Sequence, residues 1–193
     1  MGAGLAIPAQ GRLFVLTGSS GSGKDAVIEG LLARIPNLRR AVTAITRAPR
    51  PNEREGVNHY FISDAEFDRW LAEGRFLEWA RVFGRRYGTP RAEVDRLLRA
   101  GHDVILRIDP QGAAAVREQI PAVPVIFLRA ENSAELERRL RERGEDEQSL
   151  RSRQAQLSAD DQFGRTCQHQ VVNRRDRLDQ AVAEIAAIIG GAS

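Results

Sequence analysis

Seven consecutive residues carry the strongest chemical signal in the chain. Gly18-Ser19-Ser20-Gly21-Ser22-Gly23-Lys24 fits the spacing G-x-x-x-x-G-K. Glycines let a backbone wrap phosphate oxygens with its N–H groups, and a helix starting at the loop adds positive potential from its N-terminus. A lysine at the end of such a loop reaches the β- and γ-phosphates of a nucleoside triphosphate. Composition singles out the same residue: the 29 basic residues include one lysine, Lys24, and 28 arginines. A compact ammonium fits a tight cradle where a broad guanidinium does not. The next residue is Asp25, where this motif normally carries a hydroxyl for Mg²⁺. A carboxylate is also a hard oxygen ligand, so Asp25 is expected at Mg²⁺, directly or through water. Its negative charge near a triphosphate makes strong metal dependence the expectation.

A cradle of this kind works only between a strand and a helix, and the flanking sequence supplies both. Arg12 to Thr17 reads as a buried strand, and Ala26 to Ile35 has helical spacing with Val27, Leu31 and Ile35 on one side. Ala41 to Thr46 is the next strand, ended by Pro49 and Pro51. Tyr60 to Ile62 reads as a strand, and Ser63 with Glu66 forms a capping box for a helix whose apolar face is Phe67, Trp70 and Leu71. Phe76 to Phe83 and Arg86 to Tyr87 flank Gly84, as in a hairpin. Thr89-Pro90 opens a helix with proline at its first position, and Gly101 stops it. Strand, helix and strand follow at Asp103 to Asp109, to about Ile120, and at Pro124 to Leu128. Asn132 and Glu135 frame an arginine-rich helix to Arg143. Gln170 to Asn173 is a short strand, and Leu178 to Ile189 a final helix. This alternation predicts an α/β fold around a parallel sheet with right-handed crossovers. The core is expected over 12–46 and 93–193, with a mobile segment at about 132–160. Residues 47–92 read as an insert and 1–11 as a flexible leader.

The remaining composition excludes more than it selects. The 193 residues are 42% hydrophobic and 28% charged, with net charge +3, as expected for one globular domain. No block of like charge suggests a nucleic-acid tail, and no apolar run suggests a membrane span. The single cysteine, Cys167, rules out an internal disulfide framework; with no signal peptide evident, a cytoplasmic chain is expected.

Four later segments, in this order and spacing, resemble guanylate kinase. They are Thr43-Ala44-Ile45-Thr46-Arg47-Ala48-Pro49-Arg50-Pro51, Phe76-Leu77-Glu78-Trp79-Ala80, Tyr87-Gly88-Thr89-Pro90-Arg91 and Ile108-Asp109-Pro110-Gln111-Gly112-Ala113. The resemblance runs from about Arg12 to Ile189. It implies a three-layer P-loop parallel sheet with a small α+β acceptor-binding insert and a helical lid. It implies ATP-dependent phosphorylation of GMP to GDP with Mg²⁺, in a monomer or homodimer without nucleic-acid or membrane partners. Residue by residue, the implied ATP site is Gly18, Ser19, Ser20, Gly21, Ser22, Gly23, Lys24, Asp25 and Asn173. The implied GMP site is Thr43, Arg47, Arg50, His59, Glu78, Tyr87, Thr89 and Asp109. In that site Arg47, Arg50 and Tyr87 hold the acceptor phosphate, Glu78 accepts from guanine N1–H and N2, and Thr89 meets O6. Lys24, Arg47, Arg139, Arg143 and Arg153 are the implied catalytic cations, whereas Arg138 and Arg141 read as a solvated helix face. His59 stands where the family usually has a phosphate-binding tyrosine, and Arg107 where many members have an acid.

Two other readings compete. Ribose 1,5-bisphosphate phosphokinase also carries Gly-Lys-Asp, with Asn-His near 58–59, but has no base to read. A non-catalytic guanylate-kinase-like binding module would not need an intact cradle. All readings with turnover depend on Lys24. Lys24→Ala is expected to abolish phosphoryl transfer while leaving the fold intact, measured as ADP release beside circular dichroism. Near-normal turnover in a folded variant would exclude the cradle as the donor site.

Overall fold

A computed structural model describes residues 11–82, 84–142 and 147–191. Five strands form a parallel sheet in the order β2-β7-β1-β8-β9: β2 (Leu38–Arg40), β7 (Asp103–Arg107), β1 (Leu13–Thr17), β8 (Val125–Ala130) and β9 (His169–Asn173). Side chains alternate along these strands, and both faces are apolar, as a sheet covered on each side requires. Phe14, Leu16, Ile105, Ile126 and Leu128 enter one core with α1 (Lys24–Arg34) and α7 (Leu178–Gly191). Val15, Val104, Leu106, Val125 and Phe127 enter another with α3 (Arg91–Arg99) and α4 (Pro110–Gln119). Helices therefore lie on both faces of one sheet, the three-layer α/β arrangement expected from the sequence.

A second sheet has the order β4-β3-β6-β5, from β4 (His59–Phe61), β3 (Thr43–Ile45), β6 (Arg85–Pro90) and β5 (Phe76–Val82). It corrects the expected boundary. The strand 43–45, assigned by sequence to the parallel core, pairs with β4 and β6 instead. Both candidate sheets offer a buried face, so its apolar residues alone could not choose between them. A separate short strand, β2, which the sequence reading omits, edges the core. Pro90 is the N-cap of α3 rather than its first helical residue. Asp109 does not continue β7 but caps α4, accepting from Gly112 N–H at 2.8 Å. The charged segment at 132–160 forms α5 (Ser133–Glu142) and most of α6 (Glu147–Arg165), joined through Leu136, Leu140 and Leu150. Residues 1–10 of the expected leader lie outside the described residues. Gly11 donates to Leu98 C=O at 3.0 Å.

Packing of the small sheet depends on α2 (Asp64–Ala72), capped by Ser63, whose hydroxyl accepts from Glu66 N–H at 3.1 Å. Phe67 of α2 stacks on Phe76 at 4.5 Å and meets Trp79 edge-on at 6.1 Å. Residues 76 and 79 could not share a face in a regular strand. They do so because the register between β5 and β6 shifts between Phe76 and Glu78, a bulge that re-aims the rest of the strand. Glu78 thereby turns to the opposite side, with Ala80, Tyr87 and Thr89.

Arg86 ties this unit together. Its buried guanidinium donates to Asp64 and Asp68 of α2 and to the Asp64 carbonyl, and lies over the Phe67 ring at 4.7 Å. Arg86→Met keeps most of the apolar stem and removes these charge-assisted bonds. A loss of roughly 2 kcal/mol is expected for a set of this kind, or about 4–8 °C in melting temperature at this chain length. Calorimetry checks it, and an unchanged Tm would show that the clamp is redundant.

Candidate active site

The carboxyl edge of the parallel sheet faces the small sheet across a cleft of about 410 Å³. On one wall, β1 runs into the cradle and α1. Two glycines there are dictated by space as well as by backbone. Gly18 has φ 145°, and a Cβ on it would stand 2.1 Å from the Leu128 carbonyl oxygen. Gly23 has φ 97°, and its Cβ would stand 2.3 Å from Asn173 Nδ2. Gly23 is the N-cap of α1 without a side-chain hydrogen bond, so the first N–H groups of α1 are not satisfied by a side-chain cap. Lys24 Nζ donates to the carbonyls of Gly18 at 2.6 Å and Ser19 at 3.0 Å. Burial, and then the charge of Arg107, lower its pKa to about 8.

Residues expected at the donor side divide into two groups. Lys24, Asp25, Gly18 and Ser20 line the cleft. Asn173 and Arg139 hold the cradle from behind. Asn173 Nδ2 donates to Ser22 C=O at 2.9 Å. Arg139 donates to the carbonyls of Ser22 at 3.2 Å and Asn173 at 3.1 Å, and to Glu135 at 2.7 Å. Arg138 and Arg141 pair with Glu135, Glu142, Glu137 and Glu147 on the helix surface. Arg143 and the side chain of Arg153 lie outside the described residues. Asp25 pairs with Arg107, Oδ1 to Nη1, at 3.1 Å.

The opposite wall brings the expected acceptor residues together. Arg47 makes a two-pronged pair with Glu53 at 2.5 and 2.6 Å, and Arg50 N–H donates to the same carboxylate at 2.9 Å. The guanidinium holds the Glu53 pKa at about 2. Arg47 Nε is buried with no hydrogen-bond partner among the described residues. Thr43 and His59 face each other in register, with Oγ1 and Nδ1 2.9 Å apart. Burial, and then Arg107, push the His59 pKa down to about 4. The imidazole is therefore neutral at physiological pH, so its donor strength comes from one N–H and not from a charge. Tyr87 meets His59 edge-on, with ring centroids 6.2 Å apart.

Deeper in the cleft, Glu78 is 5% exposed and accepts from Thr89 Oγ1 at 2.5 Å. It lies against the start of α4, where a Cβ on Gly112 would stand 2.4 Å from Glu78 Oε2. Burial raises the Glu78 pKa to about 7 against the lowering effect of Thr89. Asp109 is also raised by burial, and its Oδ2 has no hydrogen-bond partner among the described residues.

Sequence reasoning did not select Glu53, Arg40 or Asp160, all of which line the cleft. Arg40 Nη2 donates to Val57 C=O at 2.8 Å. Burial raises Asp160 to about 6, opposed by a hydrogen bond to Ser19 and the charge of Lys24. Glu53 had a readable signal, an acid three residues after Arg50; Asp160 on α6 had none.

Comparison with known proteins gives a consistent result. The guanylate kinase family model matches residues 10–192. The guanylate kinase of Symbiobacterium thermophilum is 44% identical over 181 residues, covering 93% of this chain and 85% of that protein. The guanylate kinase of Parasynechococcus marenigrum is 44% identical over 186 residues, covering 93% and 98%. A crystal structure of guanylate kinase from Anaplasma phagocytophilum aligns with TM-score 0.72 at 28% identity, over 96% of this chain and 87% of that one.

The raised Glu78 pKa has a stability consequence with a definite sign. Glu78 ionises in the unfolded chain near 4.5 and in the folded chain near 7. Its burial therefore weighs against the fold increasingly as pH rises through that window. Glu78→Gln should flatten that part of the pH dependence of denaturation, and Thr89→Val should raise the carboxyl pKa further by removing a donor to its charged form. Denaturation followed across the pH window checks the first and carboxyl NMR titration of the ligand-free protein the second, and an ordinary carboxylate pKa at Glu78 would refute the assignment.

Proposed function

The chain belongs to the guanylate kinase family, and from that membership we propose that it transfers the γ-phosphoryl group of ATP to GMP, giving ADP and GDP. The observation that carries the reading is Glu78: an almost fully buried acid, bonded to Thr89, facing the phosphate cradle across one cleft. A carboxylate there accepts from guanine N1–H and the N2 amino group, a pair that adenine does not offer. Thr89 meets O6. Arg47 and Arg50 grip the acceptor phosphate with forked donors, Tyr87 and His59 each donate to it, and Thr43 fixes the imidazole through their 2.9 Å contact. Glu53 holds both Nη atoms of Arg47 in the ligand-free site, and a bound phosphate competes with it for that fork. Asp109 supports the base edge beside Glu78.

The donor phosphates lie in the loop 18–24, bound by backbone N–H groups and by Lys24, with Asn173 and Arg139 bracing the loop. Arg143 and Arg153 complete the cation set from the lid. Mg²⁺ characteristically takes one or two carboxylates together with phosphate and water. Asp25 fits that role, directly or through water; among the described residues no group of three or more His, Cys, Asp or Glu forms a closed cage. When bound, the metal supplies charge neutralisation on the phosphates. The protein's own contribution is alignment, exclusion of water and fixed positive charge around the transferring group. Among the described residues no helix is long and apolar enough to cross a membrane. We take the enzyme to work in the cytoplasm on these two small-molecule substrates, as a monomer or homodimer.

Base reading by Glu78 gives two linked outcomes. Glu78→Gln keeps an acceptor but adds a donor and loses the charge. It should cut kcat/KM for GMP by about ten- to a hundred-fold, from a contact worth roughly 1.5–3 kcal/mol. In the wild type, KM for GMP should rise as pH falls below about 7, because the protonated acid near its raised pKa must lose its proton to accept from guanine. The variant should lack that rise. An ADP-release assay with GMP, AMP and ribose 1,5-bisphosphate, run from pH 5.5 to about 8 around that pKa, tests both. A wild type inactive on GMP would refute the reading.

A further inference from the structure

Arg107 ends β7, in register with Leu16 of β1, one strand away from the cradle. It shares a sheet face with Ile105, which packs in the core under α1. The guanidinium therefore meets the first turn of α1, where Nη1 contacts Asp25 Oδ1 at 3.1 Å. Asp25 is 55% exposed, and such an exposed pair adds little to stability. The location is otherwise unfavourable for a cation. After burial, the charge of Arg107 is the next largest influence lowering the proton affinity of Lys24, Arg40 and His59. Lys24 belongs to the donor wall and His59 to the acceptor wall, while Arg40 ends β2 beside β7. Arg107 lines one cleft with all three, between the cradle residues Gly18 and Lys24 and the small-sheet residues His59 and Tyr87, and the like charges around it repel until an anion arrives. Its planar fork has five N–H donors, and the contact with Asp25 engages one edge.

We propose that Arg107 is a catalytic residue whose guanidinium, oriented by Asp25, contacts the phosphoryl group in transit. The inference rests on the phosphotransfer reading above. In the step concerned, an acceptor-phosphate oxygen bonds to the γ-phosphorus as the bond to the β,γ-bridging oxygen breaks. The bridging oxygen leaves with the electron pair, as ADP. Arg107 exchanges no proton; its N–H groups follow the charge that shifts among the oxygens. Asp25 is a positioning residue in this step, acting through Arg107.

The test compares wild type, Arg107→Met, Arg107→Lys, Asp25→Asn and the double variant Asp25→Asn/Arg107→Met at saturating ATP, GMP and Mg²⁺. It also measures Kd for GMP, for ADP, and for a guanosine–adenosine pentaphosphate that spans both sites. Arg107→Met should lower kcat by about 100- to 1000-fold, the scale for losing one preorganised donor. It should weaken the pentaphosphate by about tenfold or more while GMP and ADP alone change by less than about threefold, because the contact lies between the sites. Arg107→Lys should recover part of kcat. At saturating Mg²⁺, Asp25→Asn should cost about tenfold in the parent and clearly less beside Arg107→Met, since contacting residues couple and only the share of Asp25 at the metal remains. A kcat within about threefold of wild type for Arg107→Met overturns the proposal. An equal cost of Asp25→Asn in both backgrounds overturns the positioning role. If Arg107→Met does not fold, Arg107→Gln and Arg107→Lys carry the same comparison. A wild type that does not phosphorylate GMP would instead overturn the kinase reading.

Discussion

Several positive groups are held in the cleft between the two sheets before any anion is present, and their mutual repulsion sets the terms for the surrounding structure. Lys24, Arg40, Arg47 and Arg107 line a single cleft. Each has a partner that satisfies only part of it. Lys24 donates to two carbonyls, Arg40 to one, Arg47 to Glu53, and Arg107 pairs with Asp25. Glu53 and Asp25, the carboxylates paired with these cations, meet them only in part, and burial pushes Glu78, Asp109 and Asp160 toward their neutral forms in the same partly dry cleft, where charges interact more strongly than in water. Phosphate groups complete the balance. Binding energy is thus stored as electrostatic preorganisation, and a ligand with fewer negative charges recovers less of it.

The acids of the cleft show the converse. Glu78, Asp109 and Asp160 are each pushed toward their neutral forms by burial, although Lys24 acts against this at Asp109 and Asp160. The ligand-free cleft therefore holds acids shifted toward their neutral forms beside Lys24 and Arg40, whose charged forms the same burial disfavours. A ligand that brings phosphate to the cations and N–H donors to Glu78 reverses both tendencies at once. Selectivity for a base then arises from the cost of leaving Glu78 buried and unpaired when the donors are absent.

How much of this could be read from the sequence depends on whether the signal was local. The cradle was legible because its chemistry is written in seven adjacent residues, and the parallel core because its strands are continuous apolar runs. The capping of α2 by Ser63 was legible for the same reason. The strand 43–45 was misassigned because apolar residues fit either sheet, and only pairing with β4 and β6 decides. The aim of Glu78 depends on a bulge in β5, which shows in register and not in residue type. Asp160 reaches Ser19 from a helix far along the chain, and no spacing rule connects them. Arg139 was read from family resemblance as a cation for the transferring phosphate, whereas its contacts here are with the back of the loop.

Those contacts of Arg139 bear on how the loop presents its donors. Asn173 and Arg139 both donate to the Ser22 carbonyl. In a trans peptide the carbonyl of one residue and the N–H of the next point in opposite directions. Holding Ser22 C=O toward β9 and α5 therefore turns the Gly23 N–H the other way, toward the side where a phosphate is cradled. The positive φ of Gly23 makes that orientation accessible, and the absence of a Cβ leaves room for Asn173 to impose it. The strand end that supplies Asn173 and the helix that supplies Arg139 are thereby coupled to the geometry of the donor site. A shift of α5 would loosen the grip on Ser22 and with it the aim of the Gly23 N–H.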